Sequence, residues 1–141
     1  MNKRFVNAAI VYAVLAMVFG VFYREYTKIL DFSGATTLSV VHTHYFAMGM
    51  TMFLLFALLD KAFGFAGQKR AGGWVVAYHV GLNLTVLGLV ARGLADVQGA
   101  ELSSALDASI SGISGLGHTV LGVSLVAILL LVRKKATNGG E

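Results

Sequence analysis

The sequence predicts an all-α integral membrane protein, a four-helix bundle folded as one domain over residues 1-141, and three observations predict it. Of the 141 residues 57% are hydrophobic and 13% charged. The mean hydropathy of +0.76 is more apolar than a soluble domain of this length sustains. Four apolar runs, each long enough to cross a hydrocarbon core of about 30 Å, alternate with short polar segments. The basic residues then sort by side. In a four-span arrangement Lys3, Arg4, Lys61, Lys69, Arg70, Arg133, Lys134 and Lys135, eight of the eleven, share one face of the membrane.

The first span is expected over about residues 5-24. Met1-Asn2-Lys3-Arg4 ahead of it resembles the charged start of a signal peptide, but the apolar part is too long and lacks a small-residue cleavage pattern, so retention is expected. A polar connection with Glu25, Lys28, Asp31 and Ser33-Gly34 leads to a second span over about 36-59. Asp60 to Gly73 reads as a short polar turn, and the third span runs over about 74-94, with Trp74 as an interfacial anchor. The acidic stretch Asp96 to Asp107 is expected to cap or lie along the surface. A fourth span over about 108-132 ends in Arg133-Lys134-Lys135, and Gly139-Gly140 reads as a frayed tail. The opposite face carries Arg24, Lys28 and Arg92 against five acids. By the positive-inside rule both termini are expected in the cytoplasm, in a multi-pass protein of the inner (cytoplasmic) membrane.

Composition also excludes. With no cysteine, the chain has no disulfide, thiolate metal site, c-type haem attachment or iron–sulfur cluster. The net charge of +4 sits at the ends of apolar runs, so the expected partner is the lipid bilayer and no nucleic acid is expected.

All four histidines, His42, His44, His79 and His118, fall within expected spans and none in a loop. An imidazole in hydrocarbon needs a partner, which makes these positions the candidate functional site. His42 and His44 are two residues apart, about 200° around a helix, so one helix serves two sites. His42, His44 and His118 lie roughly 9 to 15 Å inside the outer ends of their spans. Imidazoles at one level on neighbouring helices suit axial ligation of haem iron, with His79 a further metal ligand. Gly112, Gly115, Gly117 and Gly122 around His118, with Gly81 and Gly88 on span three, offer room for a flat ring. Arg92, Arg24 and Lys28 at the outer rim are placed for propionates, Arg92 foremost. The plainer readings are that the glycines are packing positions and that the histidines bridge helices.

Val41-His42-Thr43-His44-Tyr45 followed by Met48-Gly49 resembles the His-x-His-Tyr helix of subunit I in the haem–copper oxidase superfamily. The resemblance implies that His42 ligates a high-spin, reactive haem and His44 a low-spin one. It also extends to position, since the motif again enters from outside on the second of four spans, and Arg92 falls where the family's propionate-binding arginines follow a third span. A homotrimer of this chain would then resemble the twelve-span oxidase subunit I with threefold symmetry. Copper is implied only if subunits each contribute a ligand or His118 joins, because the third span offers His79 alone.

The resulting expectation is a b-type haem protein with bis-His or mono-His haem. It would act in electron transfer or in binding or reducing nitric oxide or oxygen, as an oxidoreductase of the haem–copper type, with a quinone or a cytochrome as electron donor. Two other classes fit the same residues: a copper, zinc or proton-handling membrane protein without haem, and a structural partner in a larger assembly.

Overall fold

A computed structural model of the chain describes residues 2–138, and Met1 and the Gly139-Gly140 tail lie outside the described residues. Four long helices account for almost all of it: α1 (Lys3–Ile29), α2 (Thr37–Phe63), α3 (Ala71–Gln98) and α4 (Ser104–Asn138). All four are long and apolar enough to cross a membrane, so the chain reads as a multi-pass membrane protein.

Several helix ends are set by local partners. Asn2 accepts the Arg4 N–H ahead of α1, and Thr36 accepts the Leu38 N–H ahead of α2. Gly64 and Gly99, both with positive φ, close α2 and α3 in the left-handed conformation that only glycine adopts cheaply. The helices run beyond the expected spans. α1 continues past Arg24 to Ile29, and Asp96 and Asp107 are helical rather than part of a surface segment, leaving a connection of only 99–103. The expected polar turn after α2 shrinks likewise, and Phe65 within it is fully buried.

Neighbouring helices are antiparallel. Phe5 stands beside Phe53 while Gly20 faces His42, so α1 descends along α2. Tyr78 reaches Met48 and Gly93 abuts Leu38, which sets α3 against α2 in the opposite sense. Along α3 and α4, Gly81 meets Leu121, Thr85 meets Gly117 and Gly88 meets Ser114. Lys3 and the basic end of α4 therefore lie at the same end of the molecule. That end is filled by aromatic rings: Phe5 stacks on Phe65 at 5.7 Å and 8°, with Phe56 edge-on to both and Phe53 tilted at 43° to Phe5. Outward-facing Ile10, Val14, Val18, Leu58, Val76 and Leu130 stay exposed, as residues meant for lipid do.

Candidate functional site

The site is built on the N-terminal half of α2, whose first turn is tied to α3. Thr36 donates to the Gly93 carbonyl at 2.9 Å and Thr37 to the Leu89 carbonyl at 2.7 Å. The approach is close enough that a Cβ on Gly93 would stand 2.5 Å from the Leu38 nitrogen. Below this anchor α2 changes winding: Val41–His44 is α-helical, Tyr45–Thr51 is a π-helix, and the α-helix resumes at Met52. Such segments widen the turn and free backbone carbonyls. One of them, Met48, accepts from the Tyr78 hydroxyl at 2.8 Å. Gly49 lets α1 close on the widened turn, since a Cβ there would lie 2.6 Å from the Tyr12 ring.

His42 and His44 leave this segment on different sides, as their spacing predicts. His42 lies over Gly20 of α1, where an added Cβ would meet its ring at 3.7 Å. Its Nδ1 is buried without a hydrogen-bond partner among the described residues, a state shared only with the Thr85 hydroxyl. His44 turns toward α4 and meets His118, with ring centroids 6.1 Å apart and planes at 86°. His44 Nδ1 lies 2.8 Å from the Val40 carbonyl, and His118 Nδ1 lies 2.9 Å from the Ser114 carbonyl. A carbonyl only accepts, so each Nδ1 carries the proton and each neutral ring keeps a lone pair on Nε2. That is the state in which imidazole binds a metal.

His79 is set the other way, and the hydrogen bonds around it determine how. Asn83 Nδ2 is 2.8 Å from the His79 carbonyl, which must accept, so the orientation of the amide is fixed. The same nitrogen then donates to the Tyr12 hydroxyl at 3.0 Å, and Oδ1 accepts from Tyr45 at 3.1 Å. The Tyr12 hydroxyl has one acceptor for its own proton among the described residues, His79 Nδ1 at 2.7 Å, and donates to it. The neutral His79 ring thus carries its proton on Nε2. It is also clamped by aromatic contact, 4.4 Å from the Phe53 ring at 22°. His79, expected as a further metal ligand, stands apart from the His44–His118 pair, with its Nδ1 engaged by Tyr12.

Arg92 lies where a propionate partner is expected, but it already has partners. It forms an ion pair with Asp107, and Nη2 donates to Ser111 at 2.9 Å and to the Asp107 carbonyl at 3.3 Å. Of five guanidinium N–H donors, three are used. Arg92 and His118 border one cavity of about 340 Å³ between the C-terminal half of α3 and the N-terminal half of α4. The expected room around the glycines is corrected at three positions. Built Cβ atoms at Gly81 and Gly117 would stand 2.4 Å from backbone nitrogens of the facing helix, and one at Gly88 would stand 2.6 Å from Ser114. These three seat α3 on α4. Gly112, Gly115 and Gly122 have open space in front of them. Among the described residues, no three of His, Cys, Asp and Glu converge to hold a metal without other ligands.

A family model described as "Protein of unknown function (DUF2871)" matches residues 1–135. The chain belongs to the DUF2871 family. No curated protein matches it, and no solved structure does. The DUF2871 match takes in all four histidines, Arg92 and the Tyr12–Asn83 network, so both polar clusters lie inside the family's own extent. The partners of His79 were missed in sequence because Tyr12 sits within an apolar run, 67 residues away. Asn83, one turn beyond His79 on the same helix, was the available signal.

Proposed function

We propose that the chain is a membrane b-type haem protein in which His44 and His118 are the axial pair, working in electron transfer. The observation that carries the reading is the pair itself. A metal held about 2 Å from each of two imidazole nitrogens puts the ring centroids roughly 6 Å apart. The two rings stand 6.1 Å apart, each with its Nδ1 proton committed to a carbonyl of its own helix. Two imidazoles are what a haem iron asks of a protein, because the porphyrin fills the other four positions. Zinc sites built from side chains take three or four. Bound haem supplies the electron carrier; the chain's part is to hold both ligands at fixed tautomer and to offer cations nearby. Arg92 retains two N–H donors for a propionate.

The resemblance of the His42–Tyr45 segment to the haem–copper oxidases supports the same role for His44. It leaves His42, on the face turned to α1, as the ligand of a second, five-coordinate haem open to a small gas. Charge asymmetry supports an orientation with both termini in the cytoplasm, and exposed His118 beside open Gly115 and Gly122 supports self-association, with a homotrimer favoured by the span count. Purification in mild detergent, with oxidised and dithionite-reduced spectra and a pyridine haemochrome, tests the reading. Sharp reduced bands of b-type haem are expected. A colourless protein that takes up no added haemin defeats it, and stoichiometric copper or zinc without iron would replace it with the non-haem reading.

A further inference from the structure

The side of α2 turned away from the His44–His118 pair presents a second candidate site. Between α1, α2 and α3 lies an open groove of about 510 Å³, walled by Phe19, Val80, Leu84 and Leu87, with Tyr45 and Asn83 as its polar members. Asn83 is exposed although it sits in the middle of an apolar helix. In a bilayer such an amide faces lipid tails or a ligand, and only a ligand that carries a donor can use the lone pair its internal hydrogen bonds leave over. Its hydrogen bonds decide what kind of ligand. Both Nδ2 protons are spent, on Tyr12 and on the His79 carbonyl, and the Tyr45 proton is spent on Asn83 Oδ1. What these two groove-lining residues retain is acceptor capacity alone: a second lone pair on Asn83 Oδ1 and those of the Tyr45 oxygen. The ligand must therefore bring the proton. Phe19 and Tyr45, 5.7 Å apart and tilted at 44°, offer a wall suited to a flat ring, and the aliphatic residues suit a hydrocarbon tail.

We infer that this groove binds the hydroxyl-bearing head of a lipid-soluble quinol, with Asn83 Oδ1 and the Tyr45 oxygen accepting from the quinol O–H. The oxidised quinone, which only accepts, meets no donor there and binds more weakly. The inference stands apart from the reading of the His44–His118 pair, because it concerns binding alone and a different face of α2.

The test is binding of decylubiquinol, under anaerobic reducing conditions, to the full chain in detergent, compared with decylubiquinone and with the quinol's dimethyl ether. Saturable quinol binding is expected, with the dimethyl ether and the quinone each weaker by roughly tenfold, the scale of one lost hydrogen bond. Asn83→Leu should weaken quinol binding similarly. Because Asn83 also orders its neighbours, Leu87→Trp serves as the second variant: Leu87 is 56% exposed, tolerates the larger ring and fills the groove. It should abolish saturable binding while the protein stays folded. Equal affinity for quinol and dimethyl ether, quinone binding as tight as quinol, or unaltered binding in Leu87→Trp would each overturn the inference. A haem spectrum in any of these samples reports on the other reading independently.

Discussion

His44 and His79 occupy neighbouring helices of one small bundle, and their surroundings differ in a single respect that decides what each ring can do. His44, like His118, gives its Nδ1 proton to a carbonyl one helical turn earlier, a partner that any α-helix supplies. His79 receives a proton on Nδ1 from Tyr12, a partner that only the tertiary fold supplies. The first arrangement leaves a lone pair facing outward on a half-buried or exposed ring; the second leaves an N–H on a ring held by Phe53. A histidine in a membrane span is therefore not a ligand or a strut by location alone. The group opposite Nδ1 sorts the two.

The contrast breaks first at the pair. His44→Ala and His118→Ala should each abolish the low-spin haem spectrum while the protein still elutes as folded, whereas His79→Ala should keep haem and lose stability. Unchanged absorbance in His44→Ala would rule out the axial assignment. Next in size is the helix seat beside the pair. Gly117→Ala drives a Cβ into the Thr85 backbone and should cost about 1–3 kcal/mol in detergent unfolding. Gly115→Ala, with open space ahead, should be neutral or stabilising by less than about 1 kcal/mol. Tyr12→Phe tests the other region: it strands His79 Nδ1 and one Asn83 proton, and should cost about 1–2 kcal/mol with the haem spectrum unmoved. Smallest is Arg92→Gln. Its pair with the half-exposed Asp107 is worth less than about 1 kcal/mol, so stability should barely change, while a propionate role would show as a shifted haem potential.

The four spans were legible because hydropathy over some twenty residues is a strong signal, and the divergence of His42 from His44 follows from helix geometry alone. The ends were read short, since Glu25, Lys28 and Asp96 look like loop residues although helices continue through the interfacial zone where such side chains reach water. Asp107 was assigned to a surface segment for the same reason, which hid the partner of Arg92. The glycines at 81, 88 and 117 looked like room for a ring, and only the facing backbone of the neighbouring helix shows that space to be taken. The Tyr12–His79 bond joins residues 67 apart, and no local pattern announces it.

The π-helical stretch Tyr45–Thr51 gives α2 a phase offset. One residue more than an α-helix needs is held in that stretch, so the N-terminal half of α2 is turned by about 100° from where an unbroken α-helix of the same length would set it against the aromatic half. Deleting a single residue there, such as exposed Ala47, would let the helix rewind evenly. Phe53 and Phe56 would keep their places and His42 and His44 their bearings, whereas winding the same stretch as α-helix with every residue kept would swing both histidines away by about 100°. The bearing of the two histidine rings on one distant core is thus held in the winding of the backbone rather than in any side chain.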